Sequence, residues 1–147
     1  MRPRYLWQAR ILDGVGRWAA PLLVLALVSA ASAAERLTIR LVEASNTSAG
    51  VSAELRDVEP LLRRNLPFQR FELLETRSVR LPASDTIPFA AGLTVRCDGD
   101  ARRLSVEVSA GGRLLLQTQL TLTDRAPVIL GGFSTPGGRQ LLVLTTP

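Results

Sequence analysis

The chain has 147 residues, of which 46% are hydrophobic, and its 18 basic residues are all Arg, against 13 Asp and Glu, for a net charge of +5. The sequence contains no His and no Lys, which excludes Ser-His-Asp and Cys-His catalysis, Schiff-base chemistry and His-ligated metal sites. Cys97 is the only cysteine, so an internal disulfide and a thiolate metal site are excluded as well. We therefore expect a protein that is not an enzyme and holds no metal or cofactor.

Residues 1–33 have the three parts of a secretory signal peptide. A basic arm comes first, an uncharged run over 18–34 has its apolar centre at 19–28, and small residues surround the expected cleavage site at Ala33. A membrane-spanning helix needs about 20 apolar residues, whereas only 17 lie between Arg17 and Glu35. We expect a signal helix that is cleaved, which places the protein in the periplasm or outside the cell, with a retained membrane anchor as the alternative.

Residues 34–147 are predicted to form a single β-rich domain with an aliphatic core. They hold 14 Arg against 12 Asp and Glu, so their net charge falls to +2, which does not indicate a nucleic-acid partner. All Trp and Tyr residues lie in the signal segment, which leaves four Phe as the aromatic residues of the domain. Leu and Val supply the apolar surface that a core of this size needs.

The first elements of the domain are predicted from hydrophobic periodicity. Alternation over 35–43 predicts a strand with one buried face, and residues 44–50 have the composition of a loop. Apolar residues at helical spacing predict a helix within 52–65. Pro60 suits a first helical turn, which makes Asp57 the expected N-cap, and Leu66-Pro67 is expected to end the helix.

The rest of the chain is predicted to be short strands separated by turns. The segments are 70–74, 78–81, 93–97, 104–109, 114–123, 127–130 and 140–145. A Pro-marked loop is expected over 82–88, and Asp98-Gly99-Asp100 is a hairpin signal. The fold class is mainly β, a β-rich α+β protein. We expect an antiparallel meander or small sandwich of about six to seven strands with one short helix.

Cys97 is predicted to be buried. Leu93, Val95 and Cys97 alternate with polar residues, so they share one face of a strand. A thiol on an apolar face behaves as a small hydrophobic side chain. An exposed, reactive thiol or an intermolecular disulfide is the alternative for an odd cysteine.

One segment mixes cations with aromatic rings, namely Arg63, Arg64, Phe68, Arg70 and Phe71. These are the residue types that bind single-stranded nucleic acid. The alternative places the arginines at a helix end and the rings in the core. We favour the second interpretation and expect no nucleic acid, and we keep Arg63, Arg64 and Arg70 as candidate anion contacts.

The strand predicted over 114–123 contains no charged residue and presents Gln117, Gln119, Thr121 and Thr123 on one face. An uncharged strand at a sheet edge is an aggregation hazard, so we expect a central position in the sheet. The alternative is an edge to which a partner protein adds a strand. On that alternative these four residues are the candidate partner edge.

Residues 123–147 combine Asp124, an apolar run into Gly131-Gly132, and a later apolar strand that ends in Thr146-Pro147. This pattern resembles the closing hairpin of secretin domains, the outer-membrane pores of secretion and pilus machines. The resemblance implies an envelope protein with a related hairpin, or one that accompanies such a machine. A secretin has a longer gated segment where residues 133–139 of this chain are predicted to be only a turn.

The sequence therefore predicts an exported, non-catalytic protein-interaction module whose partner is an unknown envelope protein, with membrane contact only through an uncleaved signal segment. The alternative is a carboxylate-dependent hydrolase of the periplasm. That alternative requires a raised pKa for one carboxyl group in a cleft. The candidates are Glu54, Asp57, Glu59, Glu72 and Glu75.

Overall fold

The computed structural model describes residues 35–147. Its elements in chain order are β1 (Glu35–Ser45), β2 (Gly50–Val51), a 3-10 turn (Ala53–Leu55), α1 (Glu59–Asn65), β3 (Arg70–Leu81), β4 (Ala83–Pro88), β5 (Leu93–Asp100), β6 (Arg103–Ala110), β7 (Arg113–Leu120), β8 (Val128–Thr135) and β9 (Gly138–Thr145). The predicted mainly β fold with one short helix is confirmed. The described part of the chain has nine strands rather than about six to seven. The predicted signal helix lies outside the described residues.

The nine strands form two sheets. Sheet A has the order β2-β3-β1-β9-β8, and sheet B is the meander β4-β5-β6-β7. All pairings are antiparallel except that of β2 with β3. At the centre of sheet A, β1 pairs with β9 from Thr38 opposite Thr145 to Ala44 opposite Arg139.

The main core lies between the two sheets. Alternate residues of β1, including Leu37 and Ile39, point from sheet A into this layer, where Val95 and Val106 meet them from sheet B. All four side chains are fully buried. The period of two in each strand thus produces a shared apolar layer, as in a β-sandwich.

Sheet A is also covered on its second face, by α1. Val42 of β1 and Val143 of β9 pack there against Leu62 of the helix in a second apolar cluster. In β9, Leu142 and Leu144 point to sheet B, whereas Leu141 and Val143 point to α1. A strand buried on both faces has a continuous apolar run, which explains the sequence of β9.

The prediction of a loop over 82–88 is wrong, because Ala83–Pro88 forms β4. The prediction of two strands over 70–81 is also wrong, since Arg70–Leu81 is one continuous strand, β3. Pro82 and Pro88 made the segment resemble a loop. Because β4 is at the edge of sheet B, its outer side needs no hydrogen-bond donor, and proline is tolerated there.

The N-terminal end of α1 differs from the prediction. Val58, not Asp57, is the N-cap residue, and it makes no side-chain capping bond. The Asp57 carboxylate instead accepts two hydrogen bonds from Arg40 on β1, at 2.7 and 2.9 Å. A bidentate, charge-assisted pair is stronger than a single capping bond. The predicted end at Leu66 is confirmed by its extended backbone.

The predicted hairpin between β5 and β6 is present, but its turn is formed by residues 101–102, directly after the predicted Asp98-Gly99-Asp100. The Asp100 carboxylate accepts hydrogen bonds from the backbone N–H groups of Arg102 and Arg103, at 2.9 and 3.0 Å. Gly99 precedes the turn with φ 115°, and a Cβ at this position would overlap the carbonyl of Arg103. Glycine is therefore required at the end of β5 rather than in the turn itself.

None of the helical segments in residues 35–147 has the length and apolar character that would let it cross a membrane.

Candidate functional site

β7 is an edge strand of sheet B. It pairs with β6 alone, so the expected central position for this segment is wrong and the alternative edge position is correct. The chain leaves sheet B after Leu120 and joins sheet A at Val128, so no later strand of the described chain covers β7. Every second backbone N–H and C=O of an edge strand points away from its sheet.

The four predicted edge residues do not form one continuous row. Gln117 and Gln119 lie on β7 and are exposed, and Gln117 donates a hydrogen bond from Nε2 to Oε1 of Glu107 at 3.1 Å. Thr121 and Thr123 follow the end of β7. The Thr121 hydroxyl donates to the carbonyl of Arg102 at 3.0 Å, so it is held by the β5–β6 turn.

Thr123 is also engaged within the chain. Its carbonyl accepts a hydrogen bond from the Thr146 hydroxyl at 3.4 Å and another from the N–H of Ala126 at 3.0 Å. Of the four predicted residues, only Gln117 and Gln119 therefore belong to the free edge. We call residues Arg113–Leu120 the β7 edge.

The second residue of the β7 edge is an exposed apolar residue. Leu114 is 54% exposed, the larger value of the two exposed large hydrophobic residues in the described chain. The pairing of β6 with β7 shifts at Val108 and Ser109, which leaves Leu115 as an extra residue on β7. Such a bulge twists a strand locally, and natural proteins use it to limit unwanted pairing at an edge. The free edge is thus uncharged after Arg113 but not flat.

The outer face of sheet B is polar. One row across the sheet runs from Thr86 through Arg96 and Glu107 to Gln117. Beside it lies a shallow depression of about 390 Å³. It is lined by Arg96, Asp98, Gly99, Arg103, Ser105, Glu107 and Gln119. Hydroxyl, amide and balanced charged groups are well solvated, so this face needs no covering partner.

The structure separates the three candidate anion contacts. Arg63 pairs with Glu59 on α1 at 2.8 Å, and Arg70 pairs with Glu72 at 3.0 Å. Arg64 makes no ion pair with any described residue. Two of the three cations are therefore already neutralised, and Phe71, which was grouped with them, is buried in the core.

The hydrolase alternative requires a raised pKa for one of five candidate carboxyl groups, and two of these five have lowered pKa values instead. A hydrogen bond from Arg40 lowers the pKa of Asp57. The N–H of Ala90 donates to Oε2 of Glu75 at 2.8 Å, and this bond, together with Arg77, lowers the pKa of Glu75. A general acid needs a raised pKa instead. Within residues 35–147, no three His, Cys, Asp or Glu side chains form a group that could hold a metal ion.

The prediction that Cys97 is buried is confirmed, since its side chain is fully inaccessible in the layer between the sheets. Burial raises the pKa of its thiol to about 11, with a smaller contribution from the negative charge of Asp85 on the neighbouring strand. The thiol is therefore protonated at neutral pH, and a protonated thiol is a poor nucleophile.

The sequence did not predict a second free edge. β8 lies at the end of sheet A and pairs with β9 alone. Beside it, between α1 and β8, is a groove of about 480 Å³, which we call the α1–β8 groove. Its lining residues are Leu61, Asn65, Leu66, Pro127, Val128, Ile129, Gly131 and Leu141. The uncharged run over 126–138 was a usable signal, but the helix that completes the groove lies about 60 residues earlier in the chain.

Comparison with known proteins identified no relatives: no protein family matches this chain, and no similar curated protein or solved structure was found.

Proposed function

We propose that this protein is an exported, non-catalytic envelope protein that binds another protein by adding a strand of the partner to the β7 edge. The observation that carries this proposal is the position of β7, which is hydrogen-bonded on one side only. Strand addition supplies a ladder of main-chain hydrogen bonds, and the side chains along the edge supply specificity. Leu114 would provide apolar contact, while Gln117 and Gln119 would provide amide hydrogen bonds.

The opposite edge of the same sheet is less suited to this role. β4 has six residues and ends in Pro88, and Pro82 precedes it directly. Proline has no N–H to donate, and Asp85 places a charge in the middle of the strand. β7 has eight residues with neither proline nor an internal charge after Arg113. The β7 edge is therefore the better site for strand addition to sheet B.

The envelope location in this proposal is supported by the signal-like composition of residues 1–33. The resemblance to secretin domains supports a partner within a secretion or pilus machine. In the structure the segment 133–139 is more than a turn, because residues 133–135 belong to β8 and residues 138–139 to β9. The resemblance concerns this β8–β9 hairpin and not the β7 edge, so the partner's identity and the edge it uses can be tested separately.

Site-specific photocrosslinking in the native cell envelope tests the β7 edge. A photoreactive residue at Gln119 is expected to capture one defined envelope protein. The matched control is the same residue at Thr86, which is also exposed but lies on the opposite edge of sheet B. Three strand spacings separate the two edges, about 14 Å.

Capture at Gln119 and not at Thr86 would support strand addition at β7. Proline at Gln117 and proline at Thr118 are then compared, because one of them removes an N–H that faces a partner and the other removes an N–H that faces β6. The proline that removes the partner-facing N–H should abolish capture at Gln119. Equal capture at both positions, or none at either, would contradict the proposal.

A further inference from the structure

The β8 edge, residues Val128–Thr135, is a second free edge strand with a different environment from that of β7. It contains no charged residue and no proline. Val128 and Leu130 point into the layer between the sheets, whereas Ile129 points to the side of sheet A that carries α1. A strand added to β8 would therefore place alternate side chains on the α1 side of the sheet.

The α1–β8 groove lies on that same side. The side chains that line it are apolar apart from that of Asn65, whose Nδ2 already donates to the carbonyl of Leu61 at 2.8 Å. The volume of about 480 Å³ is enough for several aliphatic side chains. Ile129 from the strand and Leu61 from the helix are both only partly buried, so apolar surface remains available.

Two arginines, Arg64 and Arg139, lie on the elements that form the groove. Arg64 lies three residues after Leu61, which places it on the same side of α1. Arg139 of β9 lies opposite Ala44, whose side chain belongs to the cluster beneath α1, so Arg139 points to the groove side. Its Nη1 donates to the carbonyl of Gly132 at 2.9 Å, and Gly132 follows the groove residue Gly131 in the chain. Neither arginine pairs with a carboxylate among residues 35–147.

We propose that the β8 edge and the α1–β8 groove together bind an extended segment of a partner protein. The segment adds a strand to β8, has aliphatic side chains at alternate positions that enter the groove, and carries acidic residues at its ends that pair with Arg64 and Arg139. This inference deepens the proposed function, since it rests on the protein being an interaction module, but it uses the opposite sheet and defines the partner's chemistry.

Charge complementarity favours an acidic partner segment over two other occupants of the groove, namely the chain's own apolar segment and a second copy of the chain. The chain's own apolar segment at 18–34 is preceded by arginines, including Arg10 and Arg17, which the cations at the groove would repel. A second copy paired through β8 would bring another Arg64 and another Arg139 to the same interface. An acidic partner segment removes this repulsion and gains charge-assisted hydrogen bonds.

The test uses the full chain and synthetic peptides, with fluorescence anisotropy as the readout. The probe is a labelled peptide with Val at alternate positions, Thr between them, and two Asp at each end. Its matched control has the same centre with Lys in place of Asp. We expect the Asp peptide to bind about tenfold more tightly than the Lys peptide at low salt, and the difference to shrink at high salt.

Charge reversal at the groove should reverse this preference. Arg64→Glu combined with Arg139→Glu is expected to favour the Lys peptide, and Arg64→Glu alone, on an exposed helix position, is expected to lose most of the preference for the Asp peptide. Arg102→Glu, in the exposed β5–β6 turn, is the matched control and should leave the preference unchanged. An unchanged preference in Arg64→Glu, or an equal loss in Arg102→Glu, would overturn the proposal.

Strand addition is tested separately by N-methylation of the peptide. Only alternate N–H groups of an added strand face β8, so methylation of one alternate set should abolish binding while methylation of the other set should be tolerated. Equal affinities for the two methylated peptides would overturn strand addition. Absence of binding by any peptide, or a stable dimer that the Asp peptide does not dissociate, would also overturn the proposal. Neither outcome affects the photocrosslinking at Gln119, so failure here and failure of the β7 proposal are distinguishable.

Discussion

Sheet A and sheet B differ in the number of faces they bury, and this difference determines the chemical surroundings of each free edge. Sheet A is covered by sheet B on one face and by α1 on part of the other. Sheet B is covered on one face only, and its outer face is polar. Sheet A therefore offers an edge with an adjoining apolar groove, whereas sheet B offers an edge beside a solvated surface. The same backbone feature, a free edge strand, therefore has two chemically different surroundings.

The largest expected effect is the difference in lost stability between a substitution in a central strand of sheet A and one in the edge strand β7 of sheet B. Leu142→Ala should lower the free energy of unfolding by about 3 kcal/mol, because Leu142 is fully buried in β9. Leu116→Ala should cost about 1 kcal/mol, because Leu116 is only partly buried on β7. Urea denaturation followed by circular dichroism measures both. Equal losses would show that the two sheets are buried to the same extent.

The inner face of sheet B can be probed through Cys97. Its pKa in the folded state is about 11, above the ordinary value of 9.0. Above pH 9 the unfolded thiol loses its proton while the folded thiol keeps it, so stability falls as pH rises, by at most about 3 kcal/mol at pH 11. Residues 35–147 contain no Lys, His or Tyr that would titrate in this range.

Denaturant titrations between pH 8 and 11 measure this loss, and the Cys97→Ala variant is the control. That variant should be less stable at pH 8 but nearly independent of pH above it. A wild-type profile as flat as that of the variant would mean that the thiol is not enclosed between the sheets. Slow labelling by a thiol reagent in the native state is the matching kinetic observation.

The link between α1 and sheet A depends on the pair of Arg40 and Asp57, at 2.7 Å. Asp57→Asn should lower the free energy of unfolding by about 1 kcal/mol at pH 7, since Asp57 is half exposed while Arg40 is largely buried. The lowered pKa of Asp57 means that this stabilisation is present above the ordinary value of 3.8 and is lost as pH falls through the folded-state pKa.

Wild type and Asp57→Asn should therefore converge in stability as pH falls from 3.8 through the lowered folded-state pKa of Asp57, in acid denaturation followed by circular dichroism. Glu72→Gln is the comparison, because the pair of Glu72 and Arg70 lies at the exposed start of β3 and joins residues of one strand. Its effect at pH 7 should be only a few tenths of a kcal/mol. If Glu72→Gln lowered the free energy of unfolding more than Asp57→Asn does, the pair of Arg40 and Asp57 would not be the main polar link between α1 and sheet A.

The smallest effects on stability are expected from substitutions on the outer, solvated face of sheet B. Gln117→Lys places a cation opposite Glu107 and should stabilise the protein by about 0.3 kcal/mol. Gln119→Lys lies opposite Ser105 in the depression, where Arg96 and Arg103 are balanced by Asp98 and Glu107, so it should be nearly neutral. Thermal denaturation of the two variants measures the difference. A loss above about 1 kcal/mol in either would mean that this face is not freely solvated.

Strands with one buried face were predictable from sequence, and the reason is physical. A period of two directly reports which side chains are buried, so β1 and β5 were located to within a few residues. β4 was missed because Asp85 interrupts its inner-face pattern and Pro82 and Pro88 flank it. A strand at an edge tolerates these residues, and edge position is not encoded in local periodicity.

The candidate sites were less predictable than the strands, because each depends on contacts between distant residues. The composition of residues 114–123 suggested either a central or an edge strand, and only the sheet order distinguishes them. The groove needs Leu61 from α1 and Ile129 from β8 on one surface. Asp57 had two competing partners, a helix N-terminus and Arg40, and only the folded arrangement of β1 shows that Arg40 is the one that binds.

The pairing of β1 with β9 has a practical consequence for handling this fold. Thr38, near the start of β1, lies directly opposite Thr145, the last residue of β9, and cross-strand neighbours have Cα atoms about 5 Å apart. The start of β1 and the end of β9 therefore lie side by side. Residues 35–147 could be inserted as a unit into a surface loop of a host protein without separating the ends of that loop, with both candidate edges still exposed.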